Sequence, residues 1–189
     1  MPALPVAPSE TPPTQWREPA QFARLFRHYH APLARYAQRI TGEASLAADV
    51  LQDVFMKLWE RRTTLEATTS VQALLYTMVR NRALKVHRRA KWAAPDVDVA
   101  DAADTTQAVA SSAAQLAADD LQRHVRRWIN DLPPRRAEAF TLSRYHNLSY
   151  KEIARIMGVS ERTVETHILL ALRELRLRLD QLENKDLSP

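Results

Sequence analysis

The stretch SYKEIARIMGVSERTVETHILLAL, from Ser149 to Leu172, decides how this chain is read. Ser149 followed three residues later by Glu152 is a capping box, in which the two residues satisfy each other's orphan backbone N–H groups at a helix start. The helix so opened carries Ile153, Ala154, Ile156 and Met157, then meets Gly158, one of only two glycines in the protein. A left-handed turn is cheap there for glycine alone. Ser160 then caps a second helix that places Val164, Ile168, Ala171, Leu172, Leu175 and Leu179 on one face. Glu161, Arg162, Glu165, Thr166 and His167 project away from that stripe, at the end a recognition helix inserts into the major groove. Two short helices joined by a glycine turn are the layout of a DNA-reading helix-turn-helix, although an ordinary helical hairpin shares the caps and the stripe.

Composition sets the frame around this motif. The chain has 189 residues, sparse glycine and abundant Ala, Leu and Arg, which favours an all-α protein of two small helical domains. Cysteine is absent, which excludes a disulfide framework, a thiolate metal site and a catalytic thiol, and fits a reducing cytoplasm. The histidines are scattered, and the nearest pair, His28 and His30, points to different sides of a helix, so no metal is expected. No apolar run approaches the roughly 20 residues that span a bilayer, and the N-terminus lacks a basic segment followed by an apolar one. A soluble, unexported protein without membrane insertion is expected.

The formal net charge of +5 suggests a polyanionic partner, and its distribution says more. Between Ala93 and Gln122 there is no Lys or Arg, while Asp96, Asp98, Asp101, Asp104, Asp119 and Asp120 are all acidic. Outside that segment 27 basic residues face 16 acidic ones. Two basic domains therefore flank an acidic connector.

Residues 1–17 begin with five prolines before Thr14 and read as a disordered arm. Residues 18–92 form the first domain. Phe22, Leu25, Phe26 and Tyr29 begin a helical stripe that Leu33, Tyr36, Ala37 and Ile40 continue past Pro32, until Thr41 and Gly42 break it. A second helix, from about Ser45 to Arg61, buries Leu46, Val50, Leu51, Val54, Phe55, Leu58 and Trp59 and leaves Asp49, Gln52, Asp53, Lys57 and Glu60 outward. A third, from about Ser70 to Ala90, turns Leu74, Leu75, Met78, Val79, Ala83 and Val86 inward and becomes strongly basic at its end. Residues 93–114 read as an extended acidic linker. The second domain spans residues 115–182. Leu116, Leu121, Val125, Trp128 and Ile129 mark one helix, and Pro134 starts the helix that precedes the helix-turn-helix. A short tail follows at 183–189, and no appended regulatory domain is expected.

From Arg80 to Lys91 six Lys or Arg residues cluster, with Asn81 and His87 among them and Tyr76 and Trp92 as flanking aromatics. Such a cluster can grip a phosphate backbone through counterion release, and neighbouring aromatic and amide groups can hold unstacked bases. A solvated basic helix end complementing its own macrodipole gives the same pattern. Asp49, Gln52, Asp53 and Glu60 likewise fit either a docking surface or a wet helix face. No Gly-rich phosphate loop, nucleophile with its base or paired-carboxylate site is visible, so neither an enzyme nor a cofactor nor a small-molecule substrate is expected.

The order of parts resembles a known family. Ala48-Asp49-Val50-Leu51-Gln52-Asp53-Val54-Phe55-Met56-Lys57-Leu58-Trp59 resembles the second conserved region of bacterial sigma factors of the extracytoplasmic function (ECF) type, within the sigma-70 family. Leu75-Tyr76-Thr77-Met78-Val79-Arg80-Asn81, ending in Arg88-Arg89, looks like that family's promoter-melting helix. Leu132-Pro133 and Leu148-Ser149-Tyr150-Lys151-Glu152-Ile153-Ala154, followed by Gly158-Val159-Ser160 and Thr163-Val164, is similar to its promoter-reading domain. Response-regulator-type proteins also use Val-Ser-Glu-Arg-Thr-Val-Glu-Thr-His, so it is the three motifs in this order that carry the resemblance.

The resemblance implies a subunit that binds core RNA polymerase, recognises −35 and −10 promoter elements and promotes melting, with an anti-sigma factor as a further partner. Asp49, Gln52, Asp53 and Lys57 would dock on the polymerase. Tyr76, Arg80, Asn81, Arg82, Lys85, Arg88 and Arg89 would hold the opened −10 element. Ser160, Glu161, Arg162, Thr163, Glu165, Thr166 and His167 would read the −35 element. The acidic connector would lie in polymerase channels kept positive for nucleic acid. Some positions depart from the family: Lys85 stands where Asp is frequent, Leu74 where Trp is frequent, and Glu165 where a basic residue is common. Leu169 and Leu170 replace a more polar pair and are assigned to the core, the alternative being an apolar contact with an inhibitory partner. Two rivals stand beside this reading: a conventional helix-turn-helix regulator binding duplex DNA as a dimer, and a helical adaptor that meets proteins only.

Overall fold

The computed structural model describes residues 16–65, 70–93 and 113–186, so most of the acidic connector and most of the N-terminal arm lie outside the described residues, while Ala93 ends one helix and Ala113 and Ala114 begin another. Seven α-helices and no strand are found among them: α1 (Pro19–Thr41), α2 (Ala44–Glu60), α3 (Val71–Ala93), α4 (Ala113–Asn130), α5 (Pro134–Arg144), α6 (Tyr150–Met157) and α7 (Glu161–Asp186). They fall into two compact units, one within residues 1–103 and the other within 104–189.

In the first unit α1, α2 and α3 pack pairwise against one another. Pro32 sits inside α1 and forfeits one helical N–H, a loss of about 3 kcal/mol or more in an isolated helix. The helix runs on because Leu25, Tyr29, Leu33, Tyr36 and Ala37 are buried along one face, and each large side chain among them returns about 1.5–3 kcal/mol. Gly42 then ends α1 in the left-handed conformation, its N–H donating to the Gln38 carbonyl at 2.8 Å. Ala47, Val50, Leu51, Val54, Phe55 and Leu58 of α2 fill the core, and Phe22 meets Phe55 and Trp59 edge-on.

Two residues assigned to the disordered arm belong to this unit instead. Trp16 is buried, and the Arg17 guanidinium donates to the Leu65 carbonyl just beyond α2. Trp16 is the first large apolar residue after the proline-rich stretch, and its burial removes from water the kind of area that offsets ordering entropy.

The second unit closes over Ile129, Leu132, Ala137, Phe140 and Ala171, with Val125 and Leu175 packed at the edge. Polar ties hold its periphery. Arg178 of α7 donates to Asp131 at 2.7 Å and to Glu174 at 3.1 Å, and Arg135 of α5 donates at 3.3 Å to the Met157 carbonyl at the end of α6. That carbonyl is one of the four a helix end leaves unpaired, so the bond fixes α6 to α5 as well as satisfying it.

Candidate nucleic-acid interface

The helix-turn-helix is built as its sequence dictates. The Ser149 hydroxyl accepts from the Glu152 N–H at 3.3 Å, while the Glu152 carboxylate accepts from the Ser149 N–H at 2.9 Å and from its hydroxyl at 2.7 Å. Gly158 closes α6 at φ 66° and ψ 43°, its N–H donating to the Ala154 carbonyl. Ser160 caps α7 by accepting from the Thr163 N–H at 3.1 Å, and the two hydroxyls lie 2.8 Å apart. Ile153, Ile156 and Met157 of α6 and Val164, Ile168 and Ala171 of α7 are buried, which locks the two helices together.

That burial fixes what α7 presents to solvent. Glu161, Arg162, Glu165 and Thr166 are exposed, Thr163 and His167 half-buried. Ser160 and Thr163, expected among the reading residues, spend their hydroxyls on the cap. Beside this face lies a concave surface of about 680 Å³ lined by Tyr150, Arg162, Glu165, Leu169 and Leu172, among others. Leu169, assigned to the core from sequence, is 66% exposed, and Leu172 also reaches solvent. Val164, Ile168, Ala171 and Leu175 already span the stripe one helix face can bury, so leucines at neighbouring angles are left outside.

In the first unit the residues assigned to polymerase and to DNA meet. Asp53 and Lys57 of α2, with Asn81, Arg82 and Lys85 of α3, line one cleft of about 290 Å³ floored by Val54 and Met78. The Arg82 guanidinium pairs with the Asp53 carboxylate, while its Nε is buried without a hydrogen-bond partner. Asp49 and Gln52 lie open on α2. Met56, which sequence reasoning left out, is 54% exposed one turn further on, giving that polar face an apolar member. Its signal was present in the sequence: Met56 is four residues from Gln52 and falls off the buried stripe.

Two of the strand-gripping candidates lie inside the fold. Tyr76 is 1% exposed and packs edge-on against Tyr36 with ring centroids 5.2 Å apart, and Arg80 is 8% exposed and engaged within the fold. Burial raises the Tyr76 phenol well above its ordinary value; Tyr29 nearby adds to this and Arg35 opposes it. The physical reason is that α1 and α2 both pack on α3, so its middle has more than one buried face. Asn81, Lys85, Arg88, Arg89 and Lys91 remain exposed toward the C-terminal half, and Trp92 ends the row at 89% exposure.

The comparisons with known proteins fall on these same elements. The family description "Sigma-70 region 2" matches residues 25–93, and "Sigma-70, region 4" matches residues 123–175. The chain belongs to the sigma-70 family. It is similar to the ECF RNA polymerase sigma factor SigL of Mycobacterium tuberculosis, 29% identical over 166 residues covering 87% of this chain and 92% of that one. It is also similar to the RNA polymerase sigma factor CarQ of Myxococcus xanthus, 27% identical over 171 residues covering 89% and 96%. Among solved structures, the sigma factor RpoE crystallised with the anti-sigma factor NepR from Bartonella quintana shares the fold at TM-score 0.66 and 22% identity, covering 84% of this chain and 96% of that one. CnrH in complex with the cytosolic domain of CnrY does so at TM-score 0.58 and 21% identity, covering 89% and 93%. This sigma factor is thus an alternative, ECF-type subunit for transcription initiation, and nothing in these likenesses favours the conventional dimeric regulator. Among its described residues, no helix is long and apolar enough to cross a membrane.

Proposed function

We propose that this sigma factor divides its work between its two units, with α2 docking on core RNA polymerase, the C-terminal half of α3 holding the opened −10 strand, and α7 reading the −35 element. The observation that carries the reading is the face of α7. Its caps and core contacts hold Arg162, Glu165 and Thr166 outward on the first turns of the second helix of the helix-turn-helix, where side chains reach base edges. Asn81, Lys85, Arg88, Arg89 and Trp92 form the strand-holding set, since cations neutralise phosphates and an exposed indole offers a stacking plane. Tyr76 and Arg80 support that set from within the core. Asp49, Gln52 and Met56 form the docking row, with Asp53 and Lys57 at its junction with α3.

The subunit acts by binding, with no chemical step of its own: melting draws on the free energy of holding unstacked bases and phosphates. It works in the cytoplasm, where polymerase is. Because one related fold is seen with the anti-sigma factor NepR and another with the cytosolic domain of CnrY, an anti-sigma partner is part of the proposal. Residues 18–92 and 115–182 are the working domains and residues 93–114 the acidic connector between them. The test is an affinity measurement of the full chain for core polymerase, paired with strand opening at a promoter carrying a fluorescent base in the −10 element. Asp49→Arg with Gln52→Arg abolishes core binding at unchanged helicity, whereas Arg88→Ala with Arg89→Ala spares core binding and slows opening. Equal loss of both activities in both variants contradicts the division of labour.

A further inference from the structure

Resting on the proposal that α7 lies in the major groove, we infer that Glu165 selects a cytosine in the −35 element by accepting a hydrogen bond from its 4-amino group. Every other described carboxylate of the helix-turn-helix with a place near this face has a structural reason to be there. Glu152 completes the capping box, and Glu161 sits in the first turn of α7, where a negative charge complements the helix dipole. Glu174, further along α7, accepts from Arg178 at 3.1 Å and pairs with Arg136 at 3.6 Å. Glu165 is exposed and has no ion-pair or hydrogen-bond partner among the described residues.

Among the described residues no side chain of its own helix, Arg162 included, is bonded to it. The Thr166 hydroxyl beside it donates to the Arg162 carbonyl at 2.9 Å, which commits its proton. Once α7 enters a groove between phosphates, the Glu165 carboxylate loses water and is repelled by both strands, so it is tolerated there only if a base provides a donor. The major groove offers two amino donors, adenine N6 and cytosine N4. An ionised carboxylate carries acceptors only. Adenine sets its N7 acceptor directly beside N6, against the second carboxylate oxygen, whereas the cytosine edge has no acceptor of its own. The paired guanine does, at O6 and N7, and these are the atoms a guanidinium bridges; Arg162, exposed one turn earlier on the same concave surface, is placed to supply one. Cytosine opposite guanine is therefore the pair that satisfies both side chains.

The experiment uses holoenzyme formed from core polymerase and the full chain, selected on a promoter library randomised across the −35 element and sequenced. The wild type favours cytosine at one position by about 5- to 150-fold over the other bases. Glu165→Ala flattens that position and no other. Glu165→Gln, which gains a donor beside its acceptor, moves the preference there to adenine. Preferences unchanged in both variants overturn the inference and leave the −35 reading standing. Losses spread evenly over every position in the alanine variant also overturn it, assigning Glu165 to placement of the helix. A wild type with no base preference anywhere in the element overturns the −35 reading itself.

Discussion

Gly158 holds the turn between α6 and α7 at φ 66° and ψ 43°, and a Cβ built on it meets no atom within 4 Å. Crowding therefore contributes nothing to the cost of a substitution there, and only the backbone does. An L-residue held in the left-handed region costs about 1–2 kcal/mol, and Asn, which tolerates that region, costs less. Gly158→Ala is expected to destabilise the second unit by about 1–2 kcal/mol, and Gly158→Asn by clearly less. For a unit of this size each kcal/mol lowers Tm by roughly 4–8 °C. Calorimetry of the full chain measures the shift, and amide hydrogen exchange at Ile153, Ile156 and Val164 assigns it to α6 and α7. An alanine variant as stable as the parent refutes the strain argument. So does an asparagine variant as costly as alanine, since that outcome requires a steric clash where the structure has open space.

Other expectations follow from the same reasoning. Arg162→Ala loses about 1–3 kcal/mol of discrimination at one −35 position in the same library selection, whereas a uniform loss across sequences assigns Arg162 to a phosphate. Asp53→Asn breaks the half-exposed pair with Arg82, so urea unfolding should register no more than about 1 kcal/mol; a larger loss makes the pair part of the core. Arg88→Ala with Arg89→Ala lowers the dependence of strand binding on log salt by about 0.7 per phosphate contact removed, read from titrations of holoenzyme on a single-stranded −10 oligonucleotide. Burial pushes Tyr29 up to about 12 and Tyr76 further, while the same phenols in the unfolded chain ionise near 10.0. Stability from keeping them neutral is thus complete below pH 10 and is lost as pH rises toward the folded values. Phenolate absorbance from Tyr29 and Tyr76 should therefore rise only together with cooperative unfolding.

What the sequence made legible was local. The capping box, the glycine turn, the Ser160 cap and the break at Gly42 each depend on a few adjacent residues, and the structure forms all of them as read. Positions that depend on how many neighbours a helix has were not legible. A single hydrophobic stripe implies one buried face, but α3 packs on both α1 and α2, which draws Tyr76 and Arg80 inside although both look like surface residues from their spacing. Leu169 erred the other way: leucine identity argued for burial, and its angle on α7 leaves it in solvent. The Asp53–Arg82 pair joins two helices across their interface, and no periodicity within either helix encodes that register. Trp16 and Arg17 were hidden by the prolines before them, because composition averages over a segment whose last two residues behave differently.

The measurement closest to the central claim is promoter-directed transcription from a pool of genomic fragments by purified bacterial core RNA polymerase, with and without this chain. Discrete new start sites are expected, each preceded by shared −35 and −10 sequences, and they vanish when Ser149–Leu172 is deleted or when Asp49→Arg and Gln52→Arg are combined. No new starts, together with salt-sensitive duplex binding by the chain alone, contradict the account.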